Sequence, residues 1–175
     1  MKVVLIRHTS VDVIPGTCYG QTDVPLTDTF PAEAAVVRNA IPDIRFDVVC
    51  SSPLTRCRRL AEFCGYPEPL MDDRIKELNF GDWEMMMYDE IDDPNIKNWH
   101  THFVDTPIPG GESFRDIYNR VSSFLDSLKE SGAKNVLIFA HGGVLACAQV
   151  YAGHTKLKNI FDGLIPFGGM IEINV

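Results

Sequence analysis

The chain has no excess of positive charge: 16 lysines and arginines stand against 24 aspartates and glutamates, for a formal net charge of −8. Duplex nucleic acid and anionic membranes both require a basic surface, so neither is an expected partner. A small anionic ligand stays open, because a local arginine cluster can dominate a small site. Long apolar runs are also missing. Nothing approaches the roughly 20 residues that span a bilayer, and the opening MKVVLIRH has one lysine and too short an apolar run for a signal peptide. The cysteines (Cys18, Cys50, Cys57, Cys64 and Cys147) form no CxxC pair and no finger-like spacing. Reduced, mostly buried thiols in a cytoplasmic setting are expected. Internal repeats, low-complexity tracts and linkers are absent, so the 175 residues are expected to form one domain, 1–175. Hydrophobic content of 45% and charged content of 23% fit a globular core with an ordinary polar surface.

What is present is an alternation of strand-like and helix-like segments. KVVLI (2–6), FDVVCSS (46–52), NVLIFA (135–140) and MIEINV (170–175) read as strands, the first and third as buried apolar runs. Helices are expected at 31–41, with Pro31 in the first turn, and at 53–65, opened by Ser52-Pro53 and closed by Gly65. A third runs from about Phe114 to Ser131, with Ile117, Val121, Phe124, Leu125 and Leu128 on one face, and a fourth lies near 144–152. Residues 9–29 read as loop and 70–84 as irregular and extended, and about 85–112 as a short cap-like insert. The alternation predicts a three-layer α/β/α sandwich around a mostly parallel sheet.

In such sheets ligands collect beyond the carboxyl ends of the strands. Arg7-His8 follows the first strand and His141-Gly142-Gly143 the strand VLIFA, so both histidines fall in one crevice with the Ser51-Ser52-Pro53 turn. Arg56 falls in the first turn of the next helix, whose N–H groups and positive dipole end face the same place. Neutral imidazole is a nucleophile near pH 7, and arginine forks match phosphoryl oxygens.

The segments LIRHTS, YGQTDVPLT, CSSPLTRCRRLAE, RIKELNFGDWE, GGESFRDIYNRV and VLIFAHGGVLA carry a resemblance. In this order, from residue 2 to about 150, they resemble the histidine phosphatase superfamily with its phosphoglycerate-mutase-like fold, and within it the α-ribazole phosphatases of the cobalamin pathway. The resemblance implies His8 as a nucleophile that forms phosphohistidine, and Arg7 and Arg56 as holders of the phosphoryl oxygens. It implies His141 as a donor to the same oxygens, with the Gly142 N–H adding another. Glu77 would protonate the leaving alkoxide and then activate water. A small phosphate ester is the implied partner, and neither metal nor cofactor is implied, because arginine and histidine supply the positive charge. Alternatives are a broad phosphatase, a phosphoglycerate-mutase-like enzyme and a phospho-ligand binding module without catalysis.

Some positions depart from the family pattern. Thr9 stands where glycine usually follows RH, and Val11 and Ile14 replace a Thr and an Asn, which removes one phosphate contact. Gln21 or Thr22 would be its replacement. Met85 stands where many relatives have glycine. Glu112 and Ser113 read equally as a helix start or a phosphate rim. The HxH pair His100 and His102 lacks the acidic or cysteine neighbours of a metal site. Tyr88, Trp99 and Phe103 read as cap packing or as a stacking surface for a base.

Overall fold

The computed structural model describes residues Met1–Val175. One sheet contains β1 (Lys2–Arg7), β2 (Val48–Ser51), β3 (Leu70–Met71), β4 (Asn135–Ala140) and β5 (Met170–Asn174), in the order β3-β2-β4-β1-β5. All neighbours pair in parallel except β5, which runs antiparallel to β1. The helices are α1 (Phe30–Ala40), α2 (Thr55–Phe63), α3 (Asn95–His102), α4 (Phe114–Glu130) and α5 (Gly142–Tyr151).

Strand alternation builds the layers. Val4, Ile6, Leu137 and Phe139 turn to one face and pack with Val37 of α1 and Leu60 of α2. Val3, Leu5, Val136 and Ile138 turn to the other and share a core with α4 and α5. A central parallel strand is covered on both sides, which is why these segments are apolar throughout rather than alternating. The expected three-layer sandwich is the observed fold. No helix is long and apolar enough to cross a membrane.

Helix α4 follows the expected apolar face, and a capping box between Ser113 and Asp116 fixes its start. Ser113 is therefore a helix cap. Helix α5 begins at Gly142 rather than at 144, because His141 already takes the cap position in extended backbone while both glycines turn helical. The segment 70–84 holds the two-residue strand β3 and two 3₁₀ turns, Asp73–Ile75 and Gly81–Trp83. The insert folds as a 3₁₀ turn, Tyr88–Glu90, followed by α3.

Met85 has φ +65°, in the left-handed region. That conformation suits glycine and strains an L side chain. Met85→Gly is expected to raise stability by about 0.5–1 kcal/mol, read as a higher urea midpoint with an unchanged slope.

Candidate active site

The parallel sheet brings three strand ends together. Arg7 pairs with Ala140 and Ser51 with Phe139. The next residue on each strand then leaves the sheet at one level: the His8 N–H donates to the Ala140 carbonyl at 3.0 Å and the Ser52 N–H to the Phe139 carbonyl at 2.9 Å. The rings of His8 and His141 lie edge to face, 5.3 Å between centroids, and both residues are buried.

His8 Nδ1 lies 2.7 Å from the Thr9 carbonyl. A carbonyl only accepts, so Nδ1 carries the proton and Nε2 keeps its lone pair. Burial, and then the charges of Arg56 and Arg7, push the His8 pKa down to about 3. The ring is neutral across the physiological range. His141 Nε2 shares a 2.7 Å hydrogen bond with Ser52 Oγ, and the Cys57 thiol lies against the same ring. Burial and the Arg56 charge hold His141 well below the usual histidine range.

A consequence for stability follows. In the unfolded chain both imidazoles bind a proton near pH 6.5, whereas in the folded protein neither does. The unfolded state thus gains protons as pH falls below about 6.5, and stability is lost in that direction, by up to about 1.4 kcal/mol per pH unit for each group. For His8 the loss continues down to about pH 3. Urea unfolding at pH 7 and pH 5 is expected to show this drop, and His8→Asn is expected to make it shallower.

The two arginines differ in exposure. Arg7 lines the cavity; its Nη1 donates to the Ile165 carbonyl and its guanidinium lies 4.2 Å from the centre of the Phe167 ring. Arg56 is fully buried, and donates to the carbonyls of Gly20 and Thr22. In both, the Nε–H is buried with no acceptor. A buried guanidinium N–H without a partner is costly, and two of them beside a buried neutral histidine suit an incoming oxyanion.

Glu77 is held by the backbone. Leu78 N–H donates to Oε1 at 2.9 Å and Gly143 N–H to Oε2 at 3.1 Å. A Cβ at position 143 would lie 2.3 Å from Oε1, so only glycine admits the carboxylate there. Gly142 also lines the cavity, against the Arg7 guanidinium. Arg120 has a role that local sequence pattern does not reveal. It donates to the carbonyls of Arg74, Lys76 and Glu77 and to the Glu112 carboxylate, and so fixes the segment that presents Glu77. Glu112 thereby serves this brace and not a phosphate rim. Arg120, the second arginine of GGESFRDIYNRV, is visible in sequence; its reach to residues 74–77 is not.

Neither Gln21 nor Thr22 is among the residues that line the cavity. The Gln21 side-chain amide donates to the Glu77 carbonyl, and the Thr22 carbonyl accepts from Arg56. Their loop is pinned by Glu84, which accepts from the N–H groups of Gly20, Gln21, Thr22 and Phe80. Burial alone would raise the Glu84 pKa, but these donors hold it below the ordinary carboxylate value. Ile14 is exposed. His100 Nδ1 shares a hydrogen bond with the Tyr88 hydroxyl and His102 Nδ1 with Thr101, so the HxH pair does not converge.

The cavity has a volume of about 530 Å³. Arg7, His8 and Glu77 stand at one end, and aromatic side chains from the insert and from the segment before β5 wall the other. Cys18 also lines it, with burial pushing its thiol up to about 11, so it is not a reactive thiolate.

Comparison with known proteins agrees with this geometry. "Putative phosphoserine phosphatase 2" of Hydrogenobacter thermophilus is 28% identical over 99% of this chain and 89% of its own. "Probable phosphoglycerate mutase GpmB" of Escherichia coli is 31% identical over 84% of this chain and 72% of its own. The crystal structure of a "putative alpha-ribazole-5'-P phosphatase" from Escherichia coli superposes with a TM-score of 0.86 at 26% identity, covering 99% of this chain and 91% of that one. The family model described as "Histidine phosphatase superfamily (branch 1)" matches residues 3–173. With a matched span of this length over the same fold, the chain belongs to the histidine phosphatase superfamily, branch 1.

Proposed function

We propose that the protein is a phosphomonoesterase working by double displacement through phospho-His8, with no metal ion in the reaction, and that α-ribazole 5′-phosphate is its substrate. The observation that carries the chemistry is the neutral His8, its Nδ1 proton fixed on the Thr9 carbonyl and its Nε2 free, beside two guanidinium groups. Nε2 attacks phosphorus in line. The P–O bond to the alcohol breaks, and the leaving oxygen takes a proton from Glu77. Water then attacks the phosphorus and gives its proton to the Glu77 carboxylate. The P–N bond breaks and its electrons return to Nε2. Arg7, Arg56 and His141 stabilise the charge on the three equatorial oxygens throughout.

The name of the Escherichia coli structural relative and the aromatic wall of the cavity support the choice of substrate. The alcohol part of α-ribazole 5′-phosphate is an uncharged ribose with a flat base. The test is phosphate release, with EDTA present, from this compound beside 3-phosphoglycerate, phosphoserine, sugar phosphates and p-nitrophenyl phosphate. A strong preference for α-ribazole 5′-phosphate in kcat/KM is expected. Similar low rates on all of them would remove that substrate and leave a broad phosphatase, and isomerisation of phosphoglycerate without phosphate release would mark a mutase.

A further inference from the structure

Beyond Arg7, His8 and Glu77 the cavity opens into a bowl walled by Tyr88, Trp99, Phe103, Phe161 and Leu164. Phe103, Phe114 and Phe161 pack edge to face within it, at 4.8 to 5.5 Å between ring centres. Phe161, Leu164 and Phe167 are each a little under half exposed, so an apolar rim continues from the bowl to the surface. Arg7 is the only arginine or lysine among the lining residues, and Ile165 and Phe167 hold it at the phosphoryl end. The other basic group of the bowl, His100, has Nδ1 engaged with Tyr88. The one carboxylate on the wall is Glu77.

A carboxylate or second phosphate on the leaving alcohol would therefore lie against aromatic rings with no counter-cation, and burial of an unpaired anion carries a large desolvation penalty. A flat uncharged ring would keep its contacts and lose nothing polar. We infer that the bowl is a leaving-group subsite: it selects phosphate monoesters whose alcohol bears a flat, uncharged aromatic or heteroaromatic group, and it rejects those whose alcohol bears a carboxylate or second phosphate. This rests on the phosphatase reading of the same cavity. Phosphoserine and phosphoglycerate, which appear in the names of two relatives, fall in the rejected class.

The test compares two esters that differ by one charge, 2-naphthyl phosphate and 6-carboxy-2-naphthyl phosphate. The uncharged ester is expected to have the higher kcat/KM by about a hundredfold. Leu164→Lys, which places an ammonium group at the exposed rim, is expected to narrow that ratio by about fivefold. Equal kcat/KM values in the wild-type protein would overturn the subsite. Calorimetric binding of the two esters to the His8→Ala protein, which does not turn them over, separates the two readings. A binding preference for the uncharged ester without phosphate release by the wild type would keep the subsite and sink the phosphatase. Release by the wild type with no preference in either kcat/KM or binding would do the reverse.

Discussion

His8→Ala is expected to lower phosphate release by at least about four orders of magnitude, with the far-UV spectrum and cooperative unfolding of the wild type retained. β1 delivers His8 to the carboxyl edge, where its backbone N–H is already spent on the Ala140 carbonyl, and the Thr9 carbonyl fixes its tautomer. The other imidazole of the cavity wall, His100, stands on α3 with Nδ1 engaged by Tyr88, and no other side chain there replaces the lost His8 nitrogen. His141 is buried behind it and bonded to Ser52, and the Cys18 thiol is held protonated by burial. Methyl in place of imidazole leaves the strand pairing untouched. Turnover near the wild-type rate would refute the nucleophile assignment.

Glu77→Gln is expected to divide substrates by their leaving groups. An alkoxide departs only if it is protonated as the P–O bond breaks, whereas a nitrophenolate departs unaided. The loss in kcat/KM, which reports the steps up to release of the alcohol, is expected to be about 10³-fold for an alkyl ester and less than about tenfold for p-nitrophenyl phosphate. Glutamine keeps one carbonyl oxygen, which can accept from the Gly143 N–H, while the Leu78 N–H loses its acceptor. An equal loss on both esters would mean that the carboxylate shapes the site without donating a proton. Gly143→Ala offers a structural counterpart, since its methyl group would displace the carboxylate and is expected to produce the same leaving-group dependence.

The layers and the edge of the sheet where the histidines meet were readable in the sequence, because buried parallel strands write themselves as continuous apolar runs such as NVLIFA. What local pattern could not show was long-range polar bracing. Arg120 reaches residues 74–77 and Glu84 reaches residues 20–22, contacts separated by more than 40 residues that leave no periodic trace. The Gln21 side-chain amide supports the Glu77 carbonyl and the Thr22 backbone carbonyl accepts from Arg56; a polar loop residue such as Gln21 looks the same in sequence whether it faces a ligand or a carbonyl. Strand β3 leaves no pattern in the sequence because it is two residues long and exposed at the sheet edge, with no buried face. The aromatic residues of the insert read equally as packing or as a stacking surface; in the fold Trp99 is buried against Trp83 and also forms part of the cavity wall.

The most direct measurement is a rapid acid-free quench of the protein during turnover of a ³²P-labelled ester, followed by mapping of the labelled residue. Base-stable, acid-labile phosphate on His8, present in the wild type and absent in His8→Ala, is the expected result. Turnover with no protein-bound phosphate, or with base-labile phosphate on a carboxylate, would contradict a phosphohistidine mechanism.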